Sequence, residues 1–174
     1  AVKAIELASA FVARYGATDP YPRVDYLPYD GIIPALAAVL LRVEGKGLSE
    51  VSFQRATKIV LRWYYTAALG QRYNEGTDVV QATDFREVFA YAVGASSELP
   101  TGLNGQPWGV SVWTNAGPSN GAIGKALKCL LNHQSPKDPL TLAPVGSGAS
   151  RSASQLHHIF PRGMMKNRLE GGTK

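Results

Sequence analysis

Cysteine is almost missing from this 174-residue chain: Cys129 stands alone, which excludes an internal disulfide framework and a cysteine-rich zinc site. That scarcity favours a reducing compartment, so a cytoplasmic location is expected. Long apolar runs are missing as well. The richest stretch, IIPALAAVLLRV from Ile32 to Val43, falls well short of the ~20 residues needed to cross a bilayer. It suits a buried helix, and no membrane partner is expected. The start, AVKAIELASAFVARYG, does not resemble a signal peptide, because Glu6 interrupts it and Arg14 follows its apolar part. It reads as a helix with no start signal before it, which suggests a piece of something longer. There is no internal repeat, coiled-coil heptad or phosphate-binding glycine loop.

What is present is enough for a core. Apolar residues make up 45% of the chain, so most of it should be globular. The formal net charge of +5 suggests a polyanionic partner. Its distribution says more: from Arg151 onward come five basic residues (Arg151, Arg162, Lys166, Arg168, Lys174) against one acid, Glu170.

Hydrophobic spacing predicts a mainly α protein. Residues 1 to 15 suit a helix closed by Gly16, followed by the proline-rich loop ATDPYPRVDYLPYDG. Asp30 is a candidate cap for the next helix, with Pro34 in its first turn and Glu44 to Gly47 ending it. Ser49 can cap the longest helix, 50 to 69, whose core side should be Phe53, Ala56, Val60, Trp63 and Ala67. Arg55, Lys58 and Arg62 recur on another face as a basic stripe, which suits either a solvated surface or a phosphate backbone. A helix over 83 to 93 would take Thr83 as its cap and turn Phe85, Val88, Phe89 and Ala92 inward. Residues 94 to 119 read as a long connection with one extended segment at GVSVW. Asn120 opens a last helix to about His133, with Ile123, Leu127, Leu130 and Leu131 on one side.

Near residue 135 the period shifts toward extended structure, in PLTLAPV and SQLHHIFP. The expected organisation is a helical bundle module over 1–134 and a small β-containing module over 135–174. That second module holds adjacent histidines, His157 and His158. Imidazole is partly uncharged near neutral pH and can bind a metal or accept a proton. Alternation along a strand would point the two to opposite faces, one to the core and one outward. Pro161 cannot donate to a sheet ladder and should end the strand, after which both can face one cleft beside the basic tract. His133, at a helix end, reads as a partner of the helix terminus.

QLHHIFPR resembles the first half of the ββα-metal motif of HNH endonucleases, and the HHIFP form is similar to the C-terminal nuclease module of GmrSD-type, modification-dependent restriction and phage-defence proteins. DYLPYDGIIPALAAVLL and LRWYYTAALGQRYNEG resemble that family's helical region, with its LPY-type helix start and its aromatic helix running into an RY turn. The likeness runs from about residue 25 to the end, with 94 to 119 unmatched.

The resemblance implies a small ββα-metal element over 135–174, with His158 as general base, His157 as metal ligand, and magnesium or manganese as the ion. Charge and proximity add Arg162, Lys166 and Arg168 as phosphate contacts. It also implies an N-terminal nucleotide-binding module in the same full-length protein, and DNA, modified or not, as substrate. One departure is plain: the family's last metal ligand comes well after the base. Asn167 follows His158 too closely, so the ligand is expected beyond Lys174, leaving the element incomplete here. The expected function is a metal-dependent DNA endonuclease or nickase of a bacterial restriction or anti-phage effector. A non-catalytic DNA-binding or regulatory helical module with a degenerate site is the alternative, and an RNA-directed nuclease is a third.

Overall fold

The computed structural model describes residues 1–17, 27–74, 76–104, 121–133 and Leu142. Among these residues the chain is mainly helical, with no strand: α1 (Val2–Val12), α2 (Ile32–Glu44), α3 (Glu50–Leu69), α4 (Thr77–Ala92) and α5 (Ala122–His133). The segment GVSVW and, Leu142 apart, the module expected over 135–174 lie outside the described residues.

The apolar sequence of α2 sets the architecture. Ile32, Leu36, Val39 and Val43 are all buried, and the helix packs against α1, α3 and α4. Each such side chain removed from water is worth about 1.5–3 kcal/mol, so the helix with the longest apolar run takes the centre. α5 docks at one side, against α3 and the end of α1, and buries Ala126 and Cys129.

Several local expectations are corrected. α1 does not stop at Gly16; it continues as a π-helical turn over Ala13–Ala17. A glycine costs a helix only about 1 kcal/mol, and this turn is held by one long-range bond and one local ring contact. The Tyr65 hydroxyl donates to the Tyr15 carbonyl, and Phe11 packs on the Tyr15 ring with centroids 5.0 Å apart. Asp30 does not cap α2. The residue before the helix is Gly31, already in a right-handed helical conformation with no side-chain cap bond, whereas a capping side chain needs extended backbone. The Asp30 carbonyl instead accepts from Ile33 N–H at 3.2 Å.

Ser49 does cap α3, its hydroxyl accepting from Ser52 N–H at 3.4 Å. Ala56, Val60, Trp63 and Ala67 are buried as the spacing predicts, but Phe53 is 40% exposed because it lies in the first turn, at the open edge of the bundle. α4 begins at Thr77 rather than at Thr83, since Gly76, at φ 59°, turns the chain straight into the helix and leaves Thr83 internal. Phe85, Val88, Phe89 and Ala92 face the core as expected.

The end of α3 carries a left-handed residue that is not glycine. Arg72 N–H returns to the Ala67 carbonyl at 3.0 Å and Gln71 N–H to Ala68 at 3.3 Å, which makes a Schellman turn. Its left-handed position is Gln71, at φ 53°, one residue after Gly70. At the end of α4 the same position is Gly94, at φ 76°, with open space around its α-carbon.

The two turns should therefore respond oppositely. Gln71→Gly relieves about 1 kcal/mol of left-handed strain and gives back part of it as unfolded-state entropy, so it should raise the melting temperature by about 1–3 °C. Gly94→Ala should lower stability by about 1 kcal/mol, and a thermal melt by circular dichroism reads both.

Candidate functional site

Of the residues singled out in the sequence, His157, His158, Arg162, Lys166 and Arg168 lie outside the described residues. Arg55, Lys58 and Arg62 are placed: all three are exposed on α3, on the side away from Trp63, with no ion-pair partner among the described residues. At spacings of three and four the three side chains lie along one side of the helix. Among the described residues no group of three histidine, cysteine, aspartate or glutamate side chains comes together as a metal site. The Cys129 thiol is buried, and desolvation pushes it up to about 12, so it stays protonated and unreactive at neutral pH.

The strongest cluster of polar groups is one that sequence reasoning missed. Asp84, in the middle of α4, is wholly buried. Its Oδ2 accepts from Trp63 Nε1 at 3.0 Å and from the Tyr73 hydroxyl at 2.8 Å. Arg72 closes the site: Nη2 donates to Oδ1 at 2.7 Å, and Nε lies 3.0 Å from both oxygens. Hydrogen bonding to Asp84 raises the Arg72 guanidinium, and burial followed by the neighbouring carboxylate pushes the Tyr73 hydroxyl well above its ordinary value. Wholly buried and held by three side chains, this carboxylate cannot reach a substrate. Its work is to lock α3, the turn after it and α4 together.

The same lock reaches residues 101–103, a 3₁₀ turn. A Cβ on Gly102 would lie 2.8 Å from Asp84 Oδ1 and 2.8 Å from Trp63 Cδ1, so only glycine lets this backbone lie over the network. One turn along α4 from Asp84, Glu87 Oε2 accepts from Thr101 N–H at 2.8 Å and from its hydroxyl at 2.7 Å. These two bonds, the backbone one first, hold the Glu87 carboxyl below its ordinary value of 4.5.

Trp63, Arg72 and Tyr73 all belong to LRWYYTAALGQRYNEG, one of the segments that carries the family resemblance. The missed partner had one visible signal. Asp84 precedes Val88 and Ala92 at spacings of four, which places an acid on the apolar stripe of its own helix. Comparison of the chain with protein-family models, curated proteins and solved structures finds no match.

Asp84→Ala would strip Arg72 of its counter-charge and leave the indole N–H and the Tyr73 hydroxyl without an acceptor. The expected loss is about 3–5 kcal/mol, read from the urea midpoint. Gly102→Ala should cost about 1–3 kcal/mol by overpacking the same place. Glu87 gives a pH signature. Its folded value is depressed, so its contribution is complete above the unfolded value of 4.5 and fades as pH falls through the lower folded value. A pH series of denaturation midpoints should lose that acid-side slope in Glu87→Gln.

Proposed function

We propose that the protein is part of a metal-dependent DNA endonuclease or nickase, the effector of a bacterial restriction or anti-phage system, similar to the GmrSD type. The observation that carries this is the sequence His157-His158-Ile159-Phe160-Pro161 inside a basic tail, downstream of helical segments that resemble the same family. In this reading His158 accepts a proton from the attacking water, and Arg162, Lys166 and Arg168 hold the flanking phosphates. His157 offers an imidazole nitrogen to a divalent ion, magnesium or manganese in this reading, and imidazole also accepts softer ions. When bound, that ion would neutralise charge building on the phosphate oxygens. The remaining ligand, the ββα element itself and the preceding nucleotide-binding module belong to the same proposal.

Supercoiled plasmid incubated with the protein and magnesium or manganese should be nicked or linearised. His158→Ala should slow this by about 100-fold or more, the usual contribution of a general base. Equal cleavage by the variant would remove His158 from the reaction, and parallel digests of RNA report whether the substrate is DNA.

A second reading, a non-catalytic DNA-binding or regulatory module, is favoured by the exposed cations Arg55, Lys58 and Arg62, which have no ion-pair partner among the described residues. Each phosphate contact contributes about 0.9 to the slope of log affinity against log salt. If no cutting occurs, but replacing all three with alanine weakens DNA binding and flattens that slope, this second reading stands.

A further inference from the structure

α1 and α3 both pack on α2 far more than on each other, and between them runs an open groove of about 610 Å³. Its floor is apolar, formed by Leu7, Phe11, Leu40, Val43, Val60 and Leu61. Phe53, expected in the core, stands at its rim. The charges on the groove are sorted by end. Glu44 and Glu50 lie where α2 finishes and α3 begins, an end fixed by the 2.8 Å Lys3–Glu44 ion pair at the start of α1. Arg14 and Lys58 line the other end, where the π-helical turn of α1 brings Arg14 over the Tyr15 ring at 5.2 Å. Both cations are exposed and have no ion-pair partner among the described residues.

We propose that this groove docks an amphipathic helix of a protein partner, with a basic first turn and an acidic last turn. Two helices lying side by side on a third leave a trough whose walls are ridges of side chains, and another helix fills such a trough by setting its own ridge into it. The rim from Glu50 to Leu61 spans roughly 16 Å at 1.5 Å per residue, which suits an occupant of about three turns. Charge fixes its direction. The positive end of a helix macrodipole is favoured beside Glu50, since Glu44 is already paired with Lys3, and the negative end beside Arg14 and Lys58. The docked helix therefore runs in the same sense as α1 and α3, and its leucine-type anchors at i, i+3, i+4 and i+7 meet the apolar floor.

Two synthetic peptides of about 16 residues test this, with the same composition and the same leucine spacing. One carries lysines in its first turn and glutamates in its last; the other has them exchanged. Fluorescence anisotropy against the whole protein should give the lysine-first peptide a Kd lower by about 5-fold or more, since charge contacts at both of its ends favour that order. Peptide helicity cannot produce that order, because acids at the N-terminus stabilise an isolated helix and favour the other peptide. Phe53→Asp, with an unchanged melting temperature, should weaken the lysine-first peptide by about 10-fold or more. R14E/K58E should abolish or reverse the preference. Equal affinities, no binding of either peptide, or an unchanged preference in R14E/K58E overturns the proposal. So does a concentration-dependent dimer in sedimentation that Phe53→Asp dissolves, which would assign the groove to a second copy of the chain.

Discussion

A fully buried carboxylate organises the packing of α3, α4 and the turn between them. Asp84 is fully buried in α4 and is satisfied only because an indole, a phenol and a guanidinium converge on it from α3 and the turn that follows. A buried charge left alone costs several kcal/mol, so each of those groups must arrive in place. This is why Gln71 accepts a left-handed backbone at a cost of about 1–2 kcal/mol, since the reversal there carries Arg72 and Tyr73 toward Asp84. It is also why residues 101–103 pass over the network with glycine in the middle.

Elements whose signal lies within one helix were legible. The unbroken apolar run of α2 foretold its central place, and Ser49, followed by apolar spacing of three and four, foretold the start and core side of α3. Failures had two causes, a distant contact and an unrecognised local turn. Gly16 lost to the bond between Tyr65 and Tyr15, 50 residues apart, and Thr83 lost to the turn at Gly76 that starts α4 earlier. Phe53 was misread because spacing gives a face and cannot say whether a neighbour covers it. Of the Asp84 network only the acid on the apolar stripe of α4 was visible, because its donors lie elsewhere, on α3 and the turn after it. The exposure of Arg55, Lys58 and Arg62 could be read directly from spacing, whereas His157 and His158 rest on a motif alone.

The two surfaces proposed on α3 are neighbours. Lys58 belongs both to the cationic stripe and to the rim of the apolar groove, with Arg55 and Arg62 further round the same helix. A phosphate backbone on the stripe and an acidic helix end in the groove would draw on one ammonium group. Binding at either place then lowers affinity at the other, which gives a helical module a direct way to make nucleic-acid contact depend on a protein partner.

The spacing of the Asp84 contacts along the chain bears on how the molecule forms. Its partners are 21, 12 and 11 residues away, whereas the bond that ties the end of α1 to α3 spans 50. Closing short loops costs little entropy and local contacts form early. The hairpin of α3 and α4 can therefore assemble around its carboxylate as a first unit, before α1 reaches it. The groove walled by α1 and α3 needs α1 in place, so it forms after that hairpin.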